Sequence, residues 1–415
     1  MTILLPLDAD NPDSSTPPDT FVTIPEILIS FETLKYIGFS EAYAADRWEA
    51  WTNWPDWGPQ REIDAPPEDD RITFLEFVLE PIKGIQDAVD DTDAAWYTCM
   101  DNCGMSPDAQ AAIMDDKFTE LRLSQSCLFW IIDTVDRRYG GLKDIQRTSM
   151  TREMTIRREA GRPRLPVTAG EPSSERERGR SFSEQQQQET PGVQANIWTT
   201  AQAQAAPGHT ILYKVISKSR VEGLFDEAGN VQDLSTLLSS SPSDFSPSSS
   251  CYYFFVDHLV ARYYASYAKR RSTTEAILII SLTVPNRAIE TLREPDLLRV
   301  FFPESEWREL VWFSRRRARL PAHLNKFSRA TLIIGTIAKG PDRLFHQMKT
   351  SEGVTEKNVL KIGRRREGER PHAVQYVFSF EAGGDWLREN MGRATIHVAR
   401  FTSDDIRSFF TEYES

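Results

Sequence analysis

Residues 146–207 carry charge, proline, glycine, serine and a four-glutamine run, and no apolar periodicity survives in them. A stretch of this kind buries too little apolar surface to offset the entropy of ordering it. It reads as a disordered linker, and it cuts the 415-residue chain into two parts. A chain this long exceeds what one ordinary core supports, so two domains are expected. Within the linker Arg157, Arg158, Arg162 and Arg164 read as solvated charge, with nuclear import or nucleic-acid contact as the rival reading.

Ahead of the linker the pattern is helical. Residues 1–20, rich in Pro, Asp and Ser, read as a disordered lead, and residues 21–145 as a helical domain. Thr23 and Glu26 have capping-box spacing, and Ile24, Ile27, Leu28, Phe31 and Leu34 recur at steps of three and four before Gly38. Ser40 is placed to cap a second helix through Ala44, Trp48 and Trp51, broken by Pro55 and Gly58. A third amphipathic segment spans residues 70–82. Ser106-Pro107 then opens what reads as the longest helix, running past Val135 and ended by Gly140-Gly141. Trp48, Trp51, Trp54 and Trp57 crowd ten residues, a spacing that suits a core or a domain contact better than a ligand cage.

Charge divides the chain too. Residues 1–120 hold 26 Asp and Glu against 6 Lys and Arg, a balance of -20; the rest hold 35 against 43, a balance of +8. Opposite fields of this size favour docking of one part on the other, and the acidic, Trp-rich helical half is the part suited to a protein partner. No stretch approaches the roughly 18 apolar residues of a membrane span, and Met1–Asp8 is too short and lacks the basic start of an export signal. Cys99, Cys103, Cys127 and Cys251 form no CxxC pair and have no nearby His, so buried reduced thiols are expected, with no metal. These features suit an intracellular protein, cytoplasmic or nuclear. GxGxxG after a strand, GxxxxGK[ST], GxSxG and HExxH are all absent, which removes the usual nucleotide, hydrolase and zinc-enzyme signatures.

From about Gly208 strands and helices mix, giving an α+β domain over residues 208–402 and a closing helix, 403–415, capped by Ser403. Strands are expected at Ile211–Ile216, Tyr252–Val256, Ala276–Val284, Thr331–Ala338, His372–Phe380 and Ala394–Ala399. Asp257 caps a helix through Arg271, and another carries Trp307, Leu310 and Val311. Tyr252 and Tyr253 must point to opposite faces of their strand, and the tyrosines of the following helix read mainly as core.

Taken in order, these segments resemble the ADP-ribosyltransferase superfamily and, more closely, the broad group of uncharacterised ADP-ribosyltransferase-like fungal proteins. ILYKV resembles the opening "LY" strand, with Lys214 where Arg or His is usual; CYYFFVDHLVARYYASYA resembles the aromatic strand and following small-residue helix. EWRELV with Arg315–Arg317, LIIGTIA, and the late strand from Gln375 complete a likeness that covers residues 210–400. The resemblance implies NAD, or another ADP-ribose-containing molecule, as ligand and cosubstrate. It implies transfer of ADP-ribose to a macromolecule or hydrolysis of NAD, through an oxocarbenium-like state that a carboxylate stabilises. Lys214 would hold diphosphate or ribose, Tyr253 would stack, and Gln375 would hydrogen-bond the sugar.

Active members place Glu two residues after the late-strand Gln or Glu, and here Val377 stands at that position. Glu381 is the next acid, about 20 Å from Gln375 along a straight strand. That departure supports a second reading, a catalytically inactive fold serving as a protein-interaction scaffold. Nucleic-acid binding through Arg315–Arg317 and Arg364–Arg366 ranks last, because no aromatic residues interleave these arginines.

Overall fold

The computed structural model describes residues 3–6, 21–160 and 207–414, apart from 56, 65–70, 222, 227–230, 240, 273, 363–368 and 392–394. The expected disordered lead from residue 7, most of the linker, and Arg162, Arg164 and Arg364–Arg366 lie outside the described residues. The architecture is α+β: helices precede a mixed seven-stranded sheet flanked by further helices. Among the described residues no helix is long and apolar enough to cross a membrane.

The helical half differs from its sequence reading at both ends. Strands β1 (Ile3–Pro6) and β2 (Phe21–Ile24) pair antiparallel, so Ile24 ends a strand and does not begin a helix. Pro25 supplies the reason, since the residue before a proline is steered to extended backbone. Helix α1 (Phe31–Tyr36) starts only after Ser30, whose Oγ accepts from Thr33 N at 3.2 Å. Helix α2 (Glu41–Thr52) is capped by Ser40, and α3 (Phe74–Lys83) by a Thr73/Glu76 capping box. Helix α4 (Asp93–Asn102) follows.

Ser106 caps α5 (Pro107–Ile113) as expected, but that helix stops at Ile113. After the short α6 (Thr119–Arg122), the long helix is α7 (Cys127–Ala160), 34 residues that pass straight through Gly140-Gly141 and into the first part of the expected linker. The glycines are there for proximity. A Cβ at Gly141 would lie 2.7 Å from Glu275 Cβ, and one at Gly140 would lie 2.9 Å from Ser219 Oγ, so the bare backbone lets α7 press on the sheet domain.

The sheet contains β3 (His209–Ser217), β4 (Tyr252–Phe255), β5 (Ile277–Pro285), β6 (Leu297–Val300), β7 (Leu332–Thr336), β8 (Val374–Phe378) and β9 (Ile396–Phe401). Their order is β6-β7-β8-β4-β3-β5-β9, antiparallel except for β6 on β7. Strands β3 and β5 pair over nine residues, whereas β3 and β4 meet only at Tyr213 and Phe255.

The connecting helices are α8 (His258–Arg271), α9 (Asn286–Glu290), α10 (Ser305–Arg315), α11 (Asp342–Gln347), α12 (Ala382–Asn390) and α13 (Ser403–Glu414). Thr402, one residue before the expected cap, closes the start of α13: its Oγ1 accepts from Asp405 N, and the Asp405 carboxylate accepts from Thr402 N. Strand β8 ends at Phe378, two residues short of expectation, where Ser379 Oγ receives Gly383 N at the start of α12.

Strand alternation gives the sheet two unlike faces. Leu212, Ile216, Tyr252, Phe254 and Phe378 pack under Trp386 and Leu387 of α12. On the other face Tyr213, Ile277 and Ile279 meet Ala261, Ala265 and Ala268 of α8, while Ile333 and Val377 meet Trp307, Leu310 and Val311 of α10.

Helix α8 is shared. Its opposite side sends Leu259, Val260, Tyr263 and Tyr267 into the core of the helical half, where Trp51, Trp96 and Trp130 also lie. Tyr267 donates to Ile113 O at 3.0 Å and Tyr263 to Lys117 O at 2.7 Å, with both rings stacked on Phe118. Around these rings Arg270 pairs with Asp115, Arg271 with Asp133 and Lys339 with Glu120. The opposite charges of the two halves therefore meet within the molecule.

Candidate functional site

Antiparallel pairing of β4 with β8 sets Tyr253 opposite Val377 and Phe255 opposite Gln375, so the Tyr253 and Gln375 side chains share the face that α10 covers. The segment leading into β4 folds over this face. Tyr253 donates its hydroxyl proton to Ser243 Oγ at 2.5 Å and accepts from Phe245 N at 3.4 Å. Burial pushes this phenol well above its ordinary pKa, and the nearby Cys251 and Asp244 add to the rise.

Between Ser243 and Phe245 lies Asp244, only 6% exposed. Its Oδ2 accepts from Gln375 Nε2 and from Ala338 N, each at 2.8 Å. Its Oδ1 stands 3.0 Å from Arg315 Nε, an ion-pair distance whose angle falls short of a hydrogen bond. Arg315 Nη1 in turn donates to Asp342 Oδ1 at 3.1 Å. Burial works against the Arg315 charge, but Asp244 and then Asp342 outweigh it and hold the guanidinium above its ordinary pKa. Asp244, Arg315 and Gln375 are each less than 9% exposed, and their charges and the Gln375 amide are engaged with one another.

Lys214 is elsewhere. Its neighbour Tyr213 pairs with Phe255, so Lys214 projects to the opposite face of the sheet, over Phe254 with Nζ 5.9 Å from the ring centroid. The ammonium donates to Ser239 Oγ at 3.0 Å and to the Tyr253 backbone carbonyl at 3.2 Å. Burial, with a smaller push from Arg220, lowers its pKa to about 7. Glu381 is exposed, beyond the end of β8, and its backbone carbonyl receives Asp385 N in the first turn of α12. The straight strand expected to carry both Gln375 and Glu381 therefore does not form, because β8 stops at Phe378 and the chain turns into a helix.

Of the four residues singled out from sequence, the fold brings together Tyr253 and Gln375 and separates Lys214 and Glu381 from them. Asp244 and Arg315 complete the cluster; the sequence reading left Asp244 unmarked and took Arg315 only as part of the Arg315–Arg317 run. Arg315 had a readable signal: it lies four residues beyond Val311 and eight beyond Trp307, on the buried stripe of an amphipathic helix and not on its solvated side. Asp244 sits in a Ser/Pro-rich tract with no periodicity to mark it.

All four cysteines are free and buried. The Cys99 thiol lies within hydrogen-bonding reach of Cys103 and Cys127. Among the described residues no group of three His, Cys, Asp or Glu is arranged to hold a metal ion. No family model, curated protein or solved structure matches the chain.

Proposed function

We propose that this protein acts as a non-catalytic binding scaffold and does not consume NAD. One observation carries the reading: the residues that would have to grip the dinucleotide lie on two faces of one sheet, and those on the α10 face, Tyr253 and Gln375, are bound to the Ser243–Phe245 segment. Cleaving the nicotinamide–ribose bond needs an uncommitted carboxylate beside the sugar and a cation beside the diphosphate. Asp244 is buried against Arg315, Glu381 is exposed beyond β8, and Lys214 has an amine depressed toward neutrality on the far face. The resemblance to ADP-ribosyltransferases then concerns the order of the strands and not the chemistry.

The helical half offers the surface for a partner. Of the tryptophan cluster, Trp51 is core and packs on Phe74 and Phe77, while Trp57 is 89% exposed. A large aromatic ring standing in solvent beside an acidic chain suits a protein contact. The nucleic-acid reading loses Arg315, the first cation of its first cluster, to the interior.

Two measurements on the full chain test the proposal. Calorimetry with millimolar NAD is expected to give no saturable heat, and labelled NAD is expected to release no nicotinamide. Saturable binding that Tyr253→Ala removes would overturn the scaffold reading. A protein captured by the full chain is expected to be lost with Trp57→Ala, a change at a side chain too exposed to affect folding.

A further inference from the structure

A crevice of about 220 Å³ opens where distant parts of the chain meet: the turn before α6, helix α8, helix α13 and the residue Arg370. Tyr263 lines it, with its ring stacked on Tyr413 at 5.3 Å between centroids and 20° between planes. Phe410 lines it as well, and Lys117 Nζ stands 4.9 Å from the Phe410 centroid. The Arg370 guanidinium lies 3.7 Å from the Tyr413 centroid and donates from Nη1 to the Tyr413 hydroxyl. Its Nε is buried and has no hydrogen-bond partner among the described residues.

The charges do not balance. Glu120 is already engaged by Lys339 at 2.7 Å. Asp116 is then the remaining carboxylate in the lining, facing two cations, Lys117 and Arg370. Lys117 forms no ion pair among the described residues. Arg370 is half-buried and forms no ion pair among the described residues, and a guanidinium can give a planar anion two parallel hydrogen bonds. Aromatic walls favour a ring in offset stacking. The volume is several times a water's share of about 30 Å³ and below the roughly 300 Å³ at which drug-sized pockets begin, so the space suits a single ring and excludes a dinucleotide.

We propose that this crevice binds a small aromatic carboxylate, the ring against Tyr263 and Phe410 and the carboxylate between Arg370 and Lys117. The site exists only where the helical half and the sheet domain are docked, and it is independent of the Tyr253–Gln375 cluster.

Saturation-transfer NMR on the full chain tests this with benzoate and with benzamide, which has the same ring and shape without the charge. Benzoate is expected to saturate at a concentration at least tenfold lower than benzamide. Lys117→Gln and Arg370→Gln are each expected to weaken benzoate severalfold while leaving benzamide unchanged. Lys117 is exposed, so its variant keeps the test valid if Arg370→Gln disturbs folding. Equal affinity for the two probes, no saturable benzoate signal, or a benzoate affinity that Lys117→Gln leaves untouched would overturn the proposal.

Discussion

Lys214 carries an amine into the interior of the sheet and meets two neutral acceptors there, the Ser239 hydroxyl and the Tyr253 carbonyl. Its pKa of about 7 lies below the ordinary lysine value of 10.5, so between those two pH values the unfolded chain binds the proton that the folded chain releases. Stability must therefore rise with pH from about 7 toward 10, and the cost of the buried charge is felt in full below 7. Lys214→Met removes that cost together with two hydrogen bonds worth about 1 kcal/mol each. The full shift corresponds to an upper bound of about 5 kcal/mol, so the variant is expected to be more stable than the parent by about 1–3 kcal/mol at pH 6. The advantage should shrink or reverse by pH 9. Denaturant unfolding at the two pH values checks this, and an advantage that grows with pH would contradict the placement of Lys214. A lysine in a strand otherwise built of apolar residues reads from sequence as a surface or ligand-binding cation; only pairing with β4 reveals which face it takes.

At the scale of elements, the long helix α7 is the sharpest departure from the sequence pattern. Replacing a mid-helix glycine by alanine ordinarily stabilises a helix by about 1 kcal/mol. Gly141→Ala is expected to do the opposite, because its Cβ would stand 2.7 Å from Glu275 Cβ and force apart two packed elements. A net loss of about 1–3 kcal/mol is expected, measured by thermal unfolding with the melting temperature falling; a rise would show that the α7 contact is loose. The same conflict between local and tertiary preference explains what the sequence hid. Caps at Ser40 and Ser106 are local chemistry and could be read directly. Helix α12 could not, because its first turn holds Gly383 and Gly384, poor helix formers kept where a Cβ at Gly383 would lie 2.8 Å from Thr331 O. Strand β6 has only four residues, too few for alternation to identify, and it exists by pairing in parallel with β7.

Across the whole molecule, the opposite charges of the two halves and the tyrosines of α8 are two signs of one interface. Leu259, Val260, Tyr263 and Tyr267 belong to the same buried cluster as Phe118, Ile131 and Trp130, so the core of the helical half is closed by α8. Both signs were legible in the sequence as tendencies. Which surfaces meet was not, because contacts such as Tyr267 with Ile113 join residues more than 150 positions apart, where no periodicity reaches. Residues 21–160 and 207–415 produced as separate chains in one cell are therefore expected to copurify as a 1:1 complex, and the intact protein to unfold in a single calorimetric transition. Salt discriminates between the two contributions. The peripheral pairs Arg270–Asp115 and Lys339–Glu120 are partly exposed and worth little each, whereas the stacked rings exclude water. At about 1 M salt the screening length falls to about 3 Å, so a complex held by its ion pairs would dissociate while one held by apolar burial would persist. Persistence is expected. Dissociation at high salt, or two separate transitions in the intact chain, would mean that the tyrosine face of α8 does not close the helical core.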